Sequence, residues 1–278
     1  MIGWLRGDVR ASLALGYLVC LVLLSVLAPL VAPYSPTAQN YDAMLAGPSA
    51  QHLLGTDDLG RDTLSRLLFG APVSLYASVM AVAIALVLGL PIGLLAGYCG
   101  GAVDLVISRI IDTLLSFPGI VLAVGVTGAL GIGMVNSMIA VGIVFAPEIA
   151  RLVRGQTMVL RGELFVDAAR GFGAGTTRIL TRHILPNAAQ PVIVQVTLLL
   201  AIALLVQASL SFLGLGAQPP SPSWGAMLAE AFGHMDAAPG QVYPPGIAIL
   251  LTALAFNTLG ESLRGALDPK RRRYATPQ

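Results

Sequence analysis

Five stretches of the chain run without Asp, Glu, Lys or Arg, at residues 11–41, 67–103, 113–147, 183–229 and 237–260. A bilayer core about 30 Å thick takes about 20 residues of helix, and every backbone polar group inside it must be paired within the protein. Each stretch is long enough for at least one crossing. The 35 residues of the third would extend about 52 Å as one helix. Gly128, Gly131 and Gly133 interrupt it where a tight turn would fall, so it holds the end of one helix and the start of the next. The pattern predicts six spans, near 11–32, 72–97, 107–129, 133–154, 190–212 and 244–266. The first carries eight Leu and four Val, worth roughly −4 to −7 kcal/mol of insertion free energy as an upper bound. A cleaved signal peptide competes with an anchor there. The apolar region exceeds the usual 7 to 15 residues of such a peptide, and Pro33 directly follows the only plausible small-residue site, Ala32.

Composition agrees with this pattern. Of 278 residues, 56% are hydrophobic and 11% charged, against roughly 45–50% and 25% in a soluble domain. The expected class is therefore an all-α polytopic membrane protein. The net charge of +2 carries no signal for nucleic acid, and the distribution of sign is what informs. On the six-span pattern, 14 of 16 basic residues fall on one side, and only Arg61 and Arg66 lie on the other. The positive-inside rule then places both termini and the long basic loop in the cytoplasm. Cys20 and Cys99 lie in or beside apolar runs and read as small packing residues.

Outside the spans, the first extracytoplasmic segment places Asp57, Asp58 and Asp62 close to Arg61 and Arg66. Local pairing and a short interfacial helix leading into the second span are expected; the segment is either a structured cap or in direct contact with substrate, and Asp57 and Arg61 are candidate extracytoplasmic docking residues. The second, residues 214–245, has no basic residue, and Pro219, Pro220 and Pro222 forbid regular helix. Trp224 to Phe232 fit a brief amphipathic turn, with Trp224 an interfacial anchor or, with Gln218, part of a docking surface for something delivered from outside. Between Arg154 and Asn187, Leu160, Leu164, Ala168 and Phe172 recur every four positions. Gly171, Gly173 and Gly175 break that pattern, Thr176 or Thr177 can cap a second helix, and Pro186 ends it. A helix, a glycine turn and a helix are thus expected on the cytoplasmic side. They either fold back on their own spans or enter a groove on another protein.

Energy-yielding chemistry is missing from the chain. A P-loop needs Lys after its glycines, and the single lysine, Lys270, sits behind Pro269. Span centres lack the ionisable residues that ion-coupled transport usually shows. Glu148 and Glu261 lie near the cytoplasmic ends, where pairing with Arg151 and Arg264 is expected. His52, His183 and His234 are far apart, and no hydrolase or metalloprotease motif occurs. No catalytic or metal-binding residue and no cofactor is assigned.

The run Val166-Asp-Ala-Ala-Arg-Gly-Phe-Gly173, followed by His183-Ile-Leu-Pro-Asn187, resembles the cytoplasmic EAA loop of ABC importer permeases. Residues 54–62, 211–216 and 218–228 and the Asp268-Pro-Lys tail are similar to the C-type permease subunit of the dipeptide, oligopeptide and nickel importers. This resemblance implies a type I importer bundle of six transmembrane helices with a cytoplasmic coupling helix pair, in three parts: residues 1–70, a core 71–267 with coupling loop 155–188, and a basic tail 268–278. It implies that Asp167, Ala168, Ala169, Arg170, Phe172, Gly173, Ala174, His183 and Pro186 couple the chain to a separate ATPase. Asp167 stands where the family usually has Glu. The implied partners are a second homologous permease, two ATPase subunits that hold ATP and Mg, an extracytoplasmic substrate-binding protein and the lipid bilayer of a bacterial inner membrane. Ser209 and Ser211 are expected along the pathway. Di- or oligopeptides are the expected cargo and nickel the alternative; an ion-coupled secondary transporter is the rival of another class. Fifteen Arg to one Lys fits a GC-rich bacterial genome.

Overall fold

The computed structural model describes residues 8–267. Among them the regular structure is helical: α1 Val9–Val26, α2 Ala28–Val31, α3 Thr63–Cys99, α4 Gly101–Leu115, α5 Gly119–Leu130, α6 Met134–Leu160, α7 Leu164–Gly171, α8 Thr176–Arg178, α9 Leu185–Phe212, α10 Trp224–Gly233 and α11 Tyr243–Leu267. A π-helical segment, Ile179–Ile184, joins α8 to α9. The tail from Asp268, with Lys270 to Arg273, and Arg6 lie outside the described residues.

Five helical stretches are long and apolar enough to cross a membrane, and α4 with α5 makes a sixth crossing if the bent pair is counted as one span. The expected single span at 107–129 is corrected here. α4 and α5 meet at 95° across residues 116–118. Pro118 explains the break: it has no N–H to give the preceding turn, and it disfavours helical geometry at Phe117. The helix expected before the second span is continuous with it: Thr63 opens a single 37-residue helix capped by Asp62, whose carboxylate accepts from the Ser65 N–H at 2.8 Å. That helix runs through the division expected at residues 70 and 71. Pro186 does not end a helix either. It sits in the first turn of α9, and Thr176–Phe212 forms one continuous rod. Pro186 cannot donate to the Arg182 carbonyl, and the wider π turns just before it accommodate the missing bond.

The core is built by α3, α6 and α9. Every fourth residue of α3 from Ala77 onward is small, through Ala81, Ala85, Gly89, Gly93 and Gly97, and this line is buried. Against it lie Val141, Ile149 and Val153 of α6. Separation is minimal there: a Cβ on Gly89 would stand 2.7 Å from that of Ile149, and one on Gly93 would stand 2.5 Å from the Ala150 carbonyl oxygen. Small residues let two backbones approach and gain dispersion where lipid supplies no hydrophobic drive. α11 packs on α9, α1 packs on α11 through Ala14, Leu18 and Ala255, and Tyr17 meets Thr252 at 3.0 Å.

Charged groups near the span ends pair otherwise than expected. Glu148 accepts from the Gln195 amide at 2.7 Å and Glu261 from the Asn257 amide at 3.0 Å. Arg151 pairs with Asp112 at 2.6 Å, and Arg154 takes both oxygens of Asp104. These partners sit on α4, which packs against α6. Cys20 and Cys99 are exposed rather than packed.

Candidate coupling surface

The helix pair between α6 and α9 is pinned to the bundle from one side only. Arg161, capping α6, donates to the carbonyls of Gly97 and Tyr98 at 3.1 and 3.2 Å. α7 then buries Val166 and Ala169 against Ile179 and Ile184, with Leu94 and Tyr98 of α3 packed alongside. Arg170 lies 5.5 Å above the Tyr98 ring and pairs with Asp167 at 3.0 Å. The Tyr98 hydroxyl first, and Asp167 after it, hold the guanidinium pKa above its ordinary value.

A Schellman motif closes α7. Ala174 donates to the Ala169 carbonyl at 3.0 Å and Gly173 to that of Arg170 at 2.9 Å, with Gly173 at φ +78°. A left-handed residue is needed there and glycine takes it without a Cβ penalty. Gly175, rather than Thr176 or Thr177, occupies the cap position of α8, and no side chain bonds there.

The result is a helix with two unlike faces. Its inner face is packed, while Leu164 is 84% exposed and Phe172 92% exposed, with Ala168 exposed between them. Of the residues expected to couple, Asp167, Ala168, Arg170, Phe172, Gly173 and Pro186 are exposed, Ala174 and His183 are half-buried, and Ala169 is buried. The expected packing against the bundle is realised on the inner face, and the outer apolar face is left uncovered.

At the α10 end, the proposed contact residues are corrected. Trp224 is 1% exposed. It packs with Ala71, Leu204, Ala208 and Ile249, and its indole N–H donates to the Leu67 carbonyl at 3.0 Å. It is neither an interfacial anchor nor a docking surface, because α10 tucks its first turn between α3 and α9. Asp57 and Arg61 are buried too. Arg61 bonds Asp57 at 2.7 Å, Arg66 bonds Asp57, and both arginines reach Glu230 of α10, at 3.3 and 2.7 Å. The carboxylates of Asp57, Asp58 and Glu230 converge within 4.8 Å around these two guanidiniums. Glu230, 164 residues from Arg66, was not legible as their partner. Gln218 is exposed, but its amide donates to the carbonyls of Gly214 and Gly216. Ser211 is buried and bonded by Gln207 at 2.9 Å; Ser209 bonds its own helix at the Leu205 carbonyl.

Residues 89–273, which contain this loop, match the family of binding-protein-dependent transport system inner membrane components. Residues 5–48 match the N-terminal transmembrane domain of oligopeptide transport permease C. The chain belongs to this permease family. It is 51% identical over 268 residues to the glutathione transport system permease protein GsiD of Shigella flexneri serotype 5b, covering 95% of this chain and 88% of that one. The corresponding protein of Salmonella typhimurium is 51% identical over 263 residues, covering 94% and 86%. Among solved structures, the methionine ABC transporter MetNI, in an inward-facing conformation, superposes with a TM-score of 0.59 at 20% identity, covering 73% of this chain and 97% of that one. That likeness establishes the shared importer-permease fold. The chain is thus the permease subunit of an ABC importer of the dipeptide and oligopeptide class, and members of this family are transport components.

Proposed function

We propose that this permease lines one half of the import pathway for a short peptide of the glutathione kind. A second related permease forms the other half, two ATPase subunits carrying ATP and Mg sit in the cytoplasm, and a binding protein delivers cargo outside. Glutathione is the substrate in the names of the half-identical relatives. Both termini face the cytoplasm in this reading, which the positive-inside rule supports through 14 of the 16 basic residues. The observation that carries the coupling role is the exposure of Leu164 and Phe172 on a helix whose opposite face is locked to Leu94 and Tyr98. A groove on an ATPase covers the apolar face, and closure of the paired ATPases moves the loop and the rod Thr176–Phe212 together. Such a two-state element, biased by a ligand bound elsewhere, is what coupling demands. This chain supplies no catalytic residue to ATP hydrolysis.

Replacing Phe172 by Asp in the assembled importer tests this. Burying a Phe is worth about 1.5–3 kcal/mol, so transport-stimulated ATP turnover and uptake of labelled glutathione should fall about tenfold or more, with membrane insertion unchanged. Unchanged uptake removes the loop from the mechanism. Uptake by the single chain in vesicles with an ion gradient and no ATPase overturns the ATP-driven reading altogether.

A further inference from the structure

The loop carries two guanidiniums that the apolar contact does not use. Arg178 closes α8 and Arg182 follows four residues later in the π segment; both are exposed. Neither has a hydrogen-bond or ion-pair partner among the described residues. The neighbouring arginines are engaged: Arg151, Arg154 and Arg170 pair with carboxylates, and Arg161 holds two carbonyls. Two like charges four positions apart on a helix share a face and repel each other. The segment cannot rotate to separate them, because Ile179 and Ile184 hold its other side in the α7 cluster. An unneutralised cationic pair is thus fixed six positions beyond the exposed Phe172.

We propose that Arg178 and Arg182 pair with carboxylates on the rim of the ATPase groove that receives Leu164 and Phe172. This rests on the coupling role above and adds the chemistry of the partner: an apolar floor with an acidic edge on the side of α8. The apolar side chains supply the anchor, and the arginine pair speeds encounter and selects among ATPases, as charge complementarity at an interface does. Anionic lipid is the less suitable occupant. Counted inward from Phe212, the 28 residues of α9 already extend about 42 Å, beyond a hydrocarbon core of about 30 Å. Arg178 lies a further two turns into the cytoplasm.

The test uses the assembled importer in nanodiscs, with retention of its co-purifying ATPase subunits on the tagged permease as readout. Washes at about 0.1 M and about 1 M salt span screening lengths of about 10 Å and 3 Å. Arg178→Glu with Arg182→Glu should cut retention about tenfold at the lower salt, and Lys at both positions should preserve most of it. Wild-type retention should fall with salt, while that of the glutamate variant should rise as its repulsion from the acidic rim is screened. Arg178→Gln with Arg182→Gln gives the same direction if the glutamates disturb insertion. The loss should be equal in phosphatidylcholine discs and in discs with added phosphatidylglycerol. Loss confined to the anionic discs overturns the proposal in favour of lipid headgroups, and unchanged retention overturns it outright. Phe172→Asp run alongside separates the two readings. If it leaves retention intact, the coupling role itself fails; if it abolishes retention while the arginine variants do not, only the acidic rim is lost.

Discussion

Trp224 shows how little an isolated residue type says about its surroundings. A tryptophan in a proline-rich loop outside the spans reads as a surface group, yet here its ring fills the space between α3, α9 and α11. Gly70 permits this, since a Cβ there would come within 3.3 Å of the indole. Trp224→Ala should cost about 3–5 kcal/mol of stability, seen as a lower thermal midpoint of the purified assembly, while docking of the binding protein measured well below that midpoint should be unchanged. Normal stability with lost docking would return Trp224 to the surface. Gly173 is the opposite case: the turn it makes follows from local chain geometry, and the glycine run announced it.

At the scale of elements, existence and type were readable and continuity was not. Lack of charge over about 20 residues located the crossings other than the third, because burying an ionised group in lipid is costly; α4 carries Asp104, Arg109 and Asp112. Whether a proline ends a helix, bends it or is absorbed depends on what surrounds it. Pro118 separates α4 from α5, Pro186 is carried through by π turns, and Pro72 and Pro91 lie inside α3. Helix caps are local and give a sharper expectation. The Asp8 carboxylate caps α1 by accepting from Arg10 and Ala11, and it also accepts from Ser262 of α11. The Ser262 bond, followed by the Ala11 amide, lowers its pKa below the usual carboxylate range. A group with a depressed folded pKa stabilises the fold above its unfolded pKa and loses that contribution as pH falls through the folded value. The first turn of α1 should therefore hold at neutral pH and fray below about pH 4, as followed by Cα chemical shifts of residues 9–12. Asp8→Asn, itself a good cap, should remove the pH dependence; an unchanged transition in that variant would assign it to another group.

At the scale of the whole molecule, the cluster of Asp57, Arg61, Arg66 and Glu230 ties the segment before α3 to α10. Arg66 is 3% exposed and its partner Glu230 side chain 29%. Removing one partner of a buried pair typically costs about 3–5 kcal/mol, and the partial exposure of Glu230 puts Arg66→Leu near or below the lower end. Adding Glu230→Leu should recover part of that loss in a double-mutant cycle on thermal unfolding, because the second change removes the stranded carboxylate. Strict additivity would show that the two do not act as a pair.

Taken alone, the order of residues determined five of the crossings, the glycine-turned helix pair and its apolar stripe, and the family. All of these depend on contacts within a few turns of chain or on the solvent each stretch must match. Only the tertiary structure decided that the stripe at Leu164 and Phe172 is the uncovered face, that Gly89, Gly93 and Gly97 meet α6, and that Arg66 answers Glu230. Such pairings join residues tens to more than a hundred and fifty positions apart. They follow from how rigid helices close-pack, which no local pattern encodes.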